Sequence, residues 1–329
     1  MSFSSVESKS NEVGMTIAGE FRCVLTDEGG EVKLDTGYQK NLILDQGLDF
    51  FGGGKGGSLN ASCAIGSGNS TPEVTQTGLD SFIAITSGSS STNSREYSDK
   101  GDNLYRVWEQ KQYRFTGLDN VNISEVGLAS QGSSSSNIYL TTRALIKDSG
   151  GLPTSISVKK GETLDIYYKV HKVIDIRDVS YVINILDGNG GTIPYNVTAR
   201  PVNIGGGTQA SLAFSPIHLS VAAEYSGSVV ASGELTDNKS VYPSGSLSPM
   251  YTGVVESPYI KGSYKKRFSL ELGLNIGNGN IRTFAITASS GAYQLRYGSV
   301  ADDSPIVKTA KDIASFPFEV SWGRFEGEL

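Results

Sequence analysis

Apolar and polar residues alternate along most of this chain with a period of two. In "MTIAGEFRCVL", Ile17, Phe21, Cys23 and Leu25 fall on one face while Thr16, Glu20 and Arg22 fall mostly on the other, which predicts a half-buried strand beginning near Met15. "TDEGGEV" then turns the chain and "VKL" returns it, a hairpin whose glycines supply positive φ. The alternation recurs in "SFIAIT", "LYRVWEQKQYRF", "VNISEVGLAS", "NIYLTTRALI" and "ETLDIYYKVHKVI", and later in "SYVINIL", "TIPYNVTAR", "RFSLELGLNIG", "NIRTFAITASS", "AYQLRYG" and "FPFEVSWGRF". Ser, Gly, Asn and Asp turns separate these segments, as expected between strands. "NLILDQGLDFF" reads instead as a short helix, with Leu44, Leu48 and Phe51 spaced four and three apart and a stop at Gly52. No helix-period stretch of ordinary length lies between strands, which excludes a parallel βαβ sheet. The expected fold is all-β: antiparallel β-sandwich or barrel-like domains with a short helix near the N-terminus. No fixed internal period is evident, which argues against a solenoid or propeller.

Three segments organise the 329 residues. Residues 1–14 are polar and aperiodic and read as an arm that is disordered alone or ordered only by a neighbouring subunit. Residues 15–176 and 177–329 read as two β domains joined at "DIRD", Asp175 to Asp178. Residues 232–262, dense in Ser, Gly, Pro and Tyr, read as a long excursion from the second.

Charge and composition narrow the chemistry. With 40 glycines, about 12% of the chain against a usual ~7%, and 19% charged residues against roughly 25%, the composition suits short strands and many turns. A net charge of −6 offers no basic field for nucleic acid or an anionic membrane. The start, "MSFSSVESKSNEVG", lacks the apolar core of a signal peptide, and no run of 18 apolar residues occurs, so membrane insertion is not expected. Cys23 and Cys63 are too few for a disulfide framework or a cysteine metal site. Two histidines, His171 and His218, offer neither a catalytic setting nor ligand spacing, and His171 falls on the polar face of its strand. Lys55, in "FFGGGKGGS", lacks the adjacent hydroxyl of a phosphate loop. "DGNGGT" at Asp187 reads as a hairpin turn, since its twelfth position, Thr198, is no calcium-binding glutamate. No catalytic, metal or cofactor residues emerge, and no cofactor is expected. Tyr242, Tyr251 and Tyr259 crowd the excursion and are candidate surface contacts for protein or sugar. The competing expectation is that they pin the excursion to its own sheet.

Glu125 and Arg143 flank "SQGSSSSN". A hairpin centred near Ser134 pairs residues whose numbers sum to 268, because the sum is constant along an antiparallel ladder. That register sets Glu125 opposite Arg143, Ile123 opposite Leu145 and Val126 opposite Thr142, and makes the charged couple a cross-strand pair, either partly buried among apolar neighbours or exposed.

"TGYQKNLILDQGLDFF", "CAIGSGNSTPEVTQTGLDSFI", "NISEVGLAS", "LTTRALIKDSGGLPTSISVKKGETLDIYYKV" and the closing "GAYQLRYGSVADDSPIVKTAKDIASFPFEVSWGRFEGEL" together resemble structural virion proteins of tailed bacteriophages, found in tails, baseplates, fibres and related appendages. In such proteins "GSGNSTP" looks like the turn after a strand, with Gly66 and Gly68 permitting φ > 0. The resemblance implies a non-enzymatic virion component, made in the host cytoplasm and assembled as a homo-oligomer with other phage virion proteins, without cofactor. Rival expectations are a carbohydrate-binding adhesin or receptor-binding module that meets a host surface glycan or protein, a collar or capsid-decoration protein, and a polysaccharide-degrading enzyme with two carboxylates from distant strands.

Overall fold

The computed structural model describes residues 2–3, 11–53, 58–88, 90–92, 102–130, 138–187, 191–202, 225–237, 242–248, 254–288 and 291–329. The chain is all-β. Its first part runs β1 (Ser2–Phe3), β2 (Asn11–Thr26), β3 (Val32–Asp35), β4 (Gln39–Lys40), β5 (Leu42–Ile43), helix α1 (Asp45–Gly53), β6 (Ser62–Gly66), β7 (Phe82–Ser87), β8 (Ser90–Thr92), β9 (Leu104–Phe115), β10 (Val121–Ile123), β11 (Glu125–Ala129), β12 (Thr142–Leu145), β13 (Ile156–Val158) and β14 (Thr163–Asp175). The rest runs β15 (Val179–Leu186), β16 (Thr192–Val202), β17 (Tyr225–Ala231), β18 (Val254–Glu256), β19 (Lys265–Leu272), β20 (Gly279–Ile281), β21 (Thr283–Ala288), β22 (Gly291–Ser299), β23 (Ile306–Lys308) and β24 (Ile313–Arg324).

A central sheet ordered β18-β19-β24-β2-β14-β9-β8 spans both parts of the chain. Two five-stranded sheets accompany it, β5-β12-β11-β6-β7 and β15-β16-β22-β21-β17. The alternation of β2 works as a sandwich requires: Ile17, Phe21, Cys23 and Leu25 all enter the core. Across from them, Cys63, Ile65, Val126 and Leu128 of the first five-stranded sheet join the same apolar cluster. In the later part, Phe284 of β21 packs on Phe316 and Phe318 of β24, with ring centroids 5.6 Å apart in both cases. Trp322 of β24 ties the two parts together, its Nε1 donating to the Leu48 carbonyl of α1 at 2.8 Å.

The two parts are copies of one design. Both open with a hairpin whose aspartate closes its own turn: Glu31 N donates to Asp27 Oδ1 at 2.9 Å, and Gly191 N to Asp187 Oδ1 at 3.0 Å. Both then place Ser-Gly after a strand, where Ser124 Oγ donates to the Gly68 carbonyl and Thr283 Oγ1 to the Gly233 carbonyl, at 2.7 and 2.6 Å. The two-stranded ladders β10–β13 and β20–β23 correspond, as do the pairs β11–β12 and β21–β22. Each copy finally turns into its last strand through one carboxylate, Glu162 accepting from Lys159 N at 2.8 Å and Asp312 from Thr309 N at 2.9 Å. The copies meet where β14 ends at Asp175 and β15 begins at Val179.

The copies differ in what flanks the last strand. β14 has β2 beside it, antiparallel, from Thr163↔Thr26 to Val173↔Thr16. β15 holds the matching place in the second copy, yet its ladder is with β16. β24 instead takes β2 as a parallel neighbour, from Asn11↔Phe318 to Ile17↔Arg324, and β1 as another. Two expectations change accordingly. Strand structure precedes Met15, with β1 at Ser2–Phe3 and β2 from Asn11, because the polar start is recruited as parallel strands and needs no amphipathic period of its own. The excursion at 232–262 contains an edge strand, β18, paired with β19.

Candidate functional site

A buried charge cluster surrounds Arg143, on β12, and Glu125, on β11; both are fully buried. The ladder sets Glu125 opposite Leu145 and Val126 opposite Ala144, so paired numbers sum to 270 and not 268. Ile123 pairs with Ile156 of β13, not with Leu145. A slip of two residues keeps every side chain on its face, and the connecting residues 131–137 lie outside the described residues. Arg143 is therefore diagonal to Glu125, a separation that a long side chain spans. Its Nε donates to Glu125 Oε2 at 2.9 Å.

The remaining guanidinium donors reach the loop of residues 67–81 between β6 and β7. Nη2 donates to Asp80 Oδ2 at 2.8 Å, and Nη1 to Gln76 Oε1 at 2.8 Å and to the Ser70 carbonyl at 3.1 Å. Glu125 completes the brace from below: its Oε1 accepts from Gly68 N and Ser81 N, each at 2.9 Å, and its Oε2 from Asp80 N at 3.2 Å. Hydrogen bonds from Ser70, joined by the Arg143 charge, hold the Asp80 carboxyl below its ordinary range. Gly66 and Gly68 lie against this cluster, but neither has positive φ. They are glycines for space. A Cβ on Gly66 would sit 2.5 Å from Glu125 Oε1, and one on Gly68 2.3 Å from Asp80 Cβ.

The second copy repeats the brace without charge. Gln294 of β22 is fully buried, donates through Nε2 to Thr236 Oγ1 at 2.7 Å and accepts from Thr236 N at 3.0 Å. In both copies one buried side chain from the same strand position clamps the loop that follows Ser-Gly. The guanidinium's bonds go to groups of the chain itself, so the cluster's chemistry is to fix a loop whose Asn69, Thr71 and Glu73 face solvent.

The tyrosines divide. Tyr259 is half-buried: its hydroxyl donates to Asp49 Oδ1 at 2.7 Å and its ring lies 5.6 Å from that of Trp322. Burial, together with the Asp49 carboxylate, pushes its pKa up. It pins the excursion to α1 and is not a free surface contact. Tyr242 is half-buried, and Tyr251 lies outside the described residues, as do Lys55 and His218. His171 is buried rather than solvated, with Trp108 as a ladder partner and Glu20 Oε1 3.3 Å from its Nε2. Strand parity gave its face but not the crowding on it.

Cys23 and Cys63 are both free and fully buried. Burial pushes the Cys23 thiol up to about 12 and raises that of Cys63, with Cys23 adding to the effect. Neither thiol is a nucleophile in that setting. Among the described residues there is no group of three or more His, Cys, Asp or Glu placed to hold a metal ion, and no helix is long and apolar enough to cross a membrane. The chain matches no protein-family model, no curated protein and no solved structure.

Proposed function

We propose that the chain is a non-enzymatic structural component of a tailed bacteriophage virion, in the tail, baseplate or fibre apparatus, and that it assembles through contacts between subunits. The observation that supports assembly is at the sheet edges. Among the described residues, β15 is an edge strand paired with β16, and it exposes Val179 at 57% and Val182 at 50%. β18 ends the central sheet and exposes Val255 at 54%. Edge strands with outward apolar side chains present unpaired backbone groups as a template for another chain, which an isolated protein blunts with charge or proline. The resemblance of the sequence to virion proteins supports the setting. The glycan-binding reading loses one of its three candidate contacts, because the Tyr259 hydroxyl is already engaged by Asp49.

Mass spectrometry of purified particles, from the genome that encodes the chain, tests this reading. The expected result is the chain at a fixed multiple copy number per particle. Its absence from particles, or a chain that stays monomeric in native mass spectrometry and in particle extracts, would overturn it.

A further inference from the structure

Asn60, in the bend between α1 and β6, is 1% exposed and sits against β9. Glu109, Lys111 and Tyr113 alternate on β9 and share the face that meets it. Asn60 Nδ2 donates to Glu109 Oε2 at 3.0 Å, and Lys111 Nζ donates to Asn60 Oδ1 at 2.9 Å. The orientation of the carboxamide follows from these partners: the carboxylate accepts and the ammonium donates, so nitrogen faces Glu109 and oxygen faces Lys111. Tyr113 OH and Lys111 Nζ also hold the Asn60 backbone carbonyl, and Ser58 Oγ donates to Oδ1. Glu109 is 4% exposed, and the fully buried Lys172 of β14 interacts electrostatically with it. An amine, a carboxamide and a carboxylate are thus gathered between two sheets, the carboxamide and carboxylate buried and the lysine half-buried.

We propose that Lys111 and Asn60 join in an intramolecular isopeptide bond, with Glu109 as the proton relay. The uncharged Lys111 Nζ adds to Cγ of Asn60, forming the N–C bond. Negative charge that develops on Oδ1 meets the Ser58 hydroxyl, which is already placed to donate to it. Glu109 takes a proton from Nζ and delivers it to Nδ2, the Cγ–Nδ2 bond breaks, and ammonia leaves. Amine plus carboxamide gives amide plus ammonia, with no oxidation and no other reactant. Fixed geometry favours the addition, since the fold holds the amine against the carboxamide. The product would tie β9 of the central sheet to the start of the first five-stranded sheet, so the first copy could not open without breaking a covalent bond.

Intact mass spectrometry of the full-length folded chain, with peptide mapping, tests the proposal. The expected wild-type mass is the sequence mass less one ammonia, with a branched peptide linking Asn60 to Lys111. Glu109→Gln and Lys111→Arg should both retain the full sequence mass, while Lys172→Met should still lose ammonia. A wild-type chain at full sequence mass after prolonged incubation overturns the proposal without needing any variant. Loss of the cross-link in Lys172→Met but not in Lys111→Arg would overturn the assignment of the amine.

Discussion

Glu125 and Arg143 are diagonal in their ladder, yet their charges meet at 2.9 Å with both side chains wholly buried. The pair is stable because every neighbour is polar and oriented: three backbone N–H groups aim at the carboxylate, and three oxygens besides Glu125 accept from the guanidinium. Removing one partner leaves the other charged without compensation, which costs about 3–5 kcal/mol. Arg143→Ala should therefore lower unfolding free energy by that amount in denaturant titration. Hydrogen exchange at the Gly68, Asp80 and Ser81 amides should accelerate with it. Unchanged exchange at those amides would mean that the loop is held by something else.

The same loop supplies an internal comparison. A methyl group on Gly68 would meet Asp80 Cβ at 2.3 Å and Glu125 Oε1 at 2.4 Å, and Asp80 is held in place by Arg143 and by Ser70 N. Overpacking of this kind costs about 1–3 kcal/mol. Gly78, ten residues on, has nothing within 4 Å of its would-be Cβ. Gly78→Ala should lie within about 0.5 kcal/mol of wild type, as open surface positions do. Thermal unfolding of the two variants side by side checks the contrast, and equal effects would refute the spatial role given to Gly68.

The difference between these two glycines shows what a single sequence conveys. Alternation marked β2, β9 and β14 because one face of each is buried, and the turn at Asp187 was readable from its residues. The Glu125–Arg143 face was readable as well, but its register was not, since a two-residue slip preserves every inside and outside position. Gly66 and Gly68 looked like turn glycines because crowding from Glu125 and Asp80 comes from distant sequence. The duplication was hidden for a related reason. What the copies share is bonding roles: Lys159 and Thr309 offer the same N–H to Glu162 and Asp312, and Arg143 and Gln294 clamp equivalent loops. Residue identity is kept at only a few places, such as Ser67-Gly68 against Ser232-Gly233.

Lys172 makes stability depend on pH. Burial depresses its pKa from 10.5 to about 7, opposed in part by the nearby Glu109 charge. The folded state therefore holds fewer protons than the unfolded state between about pH 7 and pH 10.5. Stability rises with pH across that window, and the penalty of the buried charge is fully present only below it. At about 1.4 kcal/mol per unit of displacement, the penalty is on the order of several kcal/mol. Lys172→Met should be more stable than wild type, with the gap shrinking between pH 7 and pH 9. Denaturant titrations of both proteins across that range check the sign, and a gap that widens with pH would contradict it.

The first seven residues of β2, and β1 before them, bear on how β24 is protected. Along β24, β19 occupies one side over Ala314 to Ser321, while the other side is shared between β1 at Ile313 and Ala314 and β2 from Phe318 onward. In the first copy that second side is closed by one long antiparallel strand. In the second copy it is closed in parallel by the start of the chain, a joint whose hydrogen bonds are slanted and somewhat weaker per residue. Deleting residues 1–14 removes β1 and the Asn11 to Gly14 end of the ladder, leaving β24 an open edge from Ile313 to Ser321. Successive amides of a strand point to opposite sides, so about every second N–H at Ile313, Ala314 and Phe318 to Ser321 loses its partner while those bonded to β19 keep theirs. Hydrogen exchange resolved to single residues should show this alternation. The bared edge should also draw chains together, because an unpaired strand is a template for another, and light scattering should report a larger species than the full-length chain forms. Protection unchanged throughout Ile313 to Ser321, with no change in assembly size, would show that the start of the chain does not guard this edge.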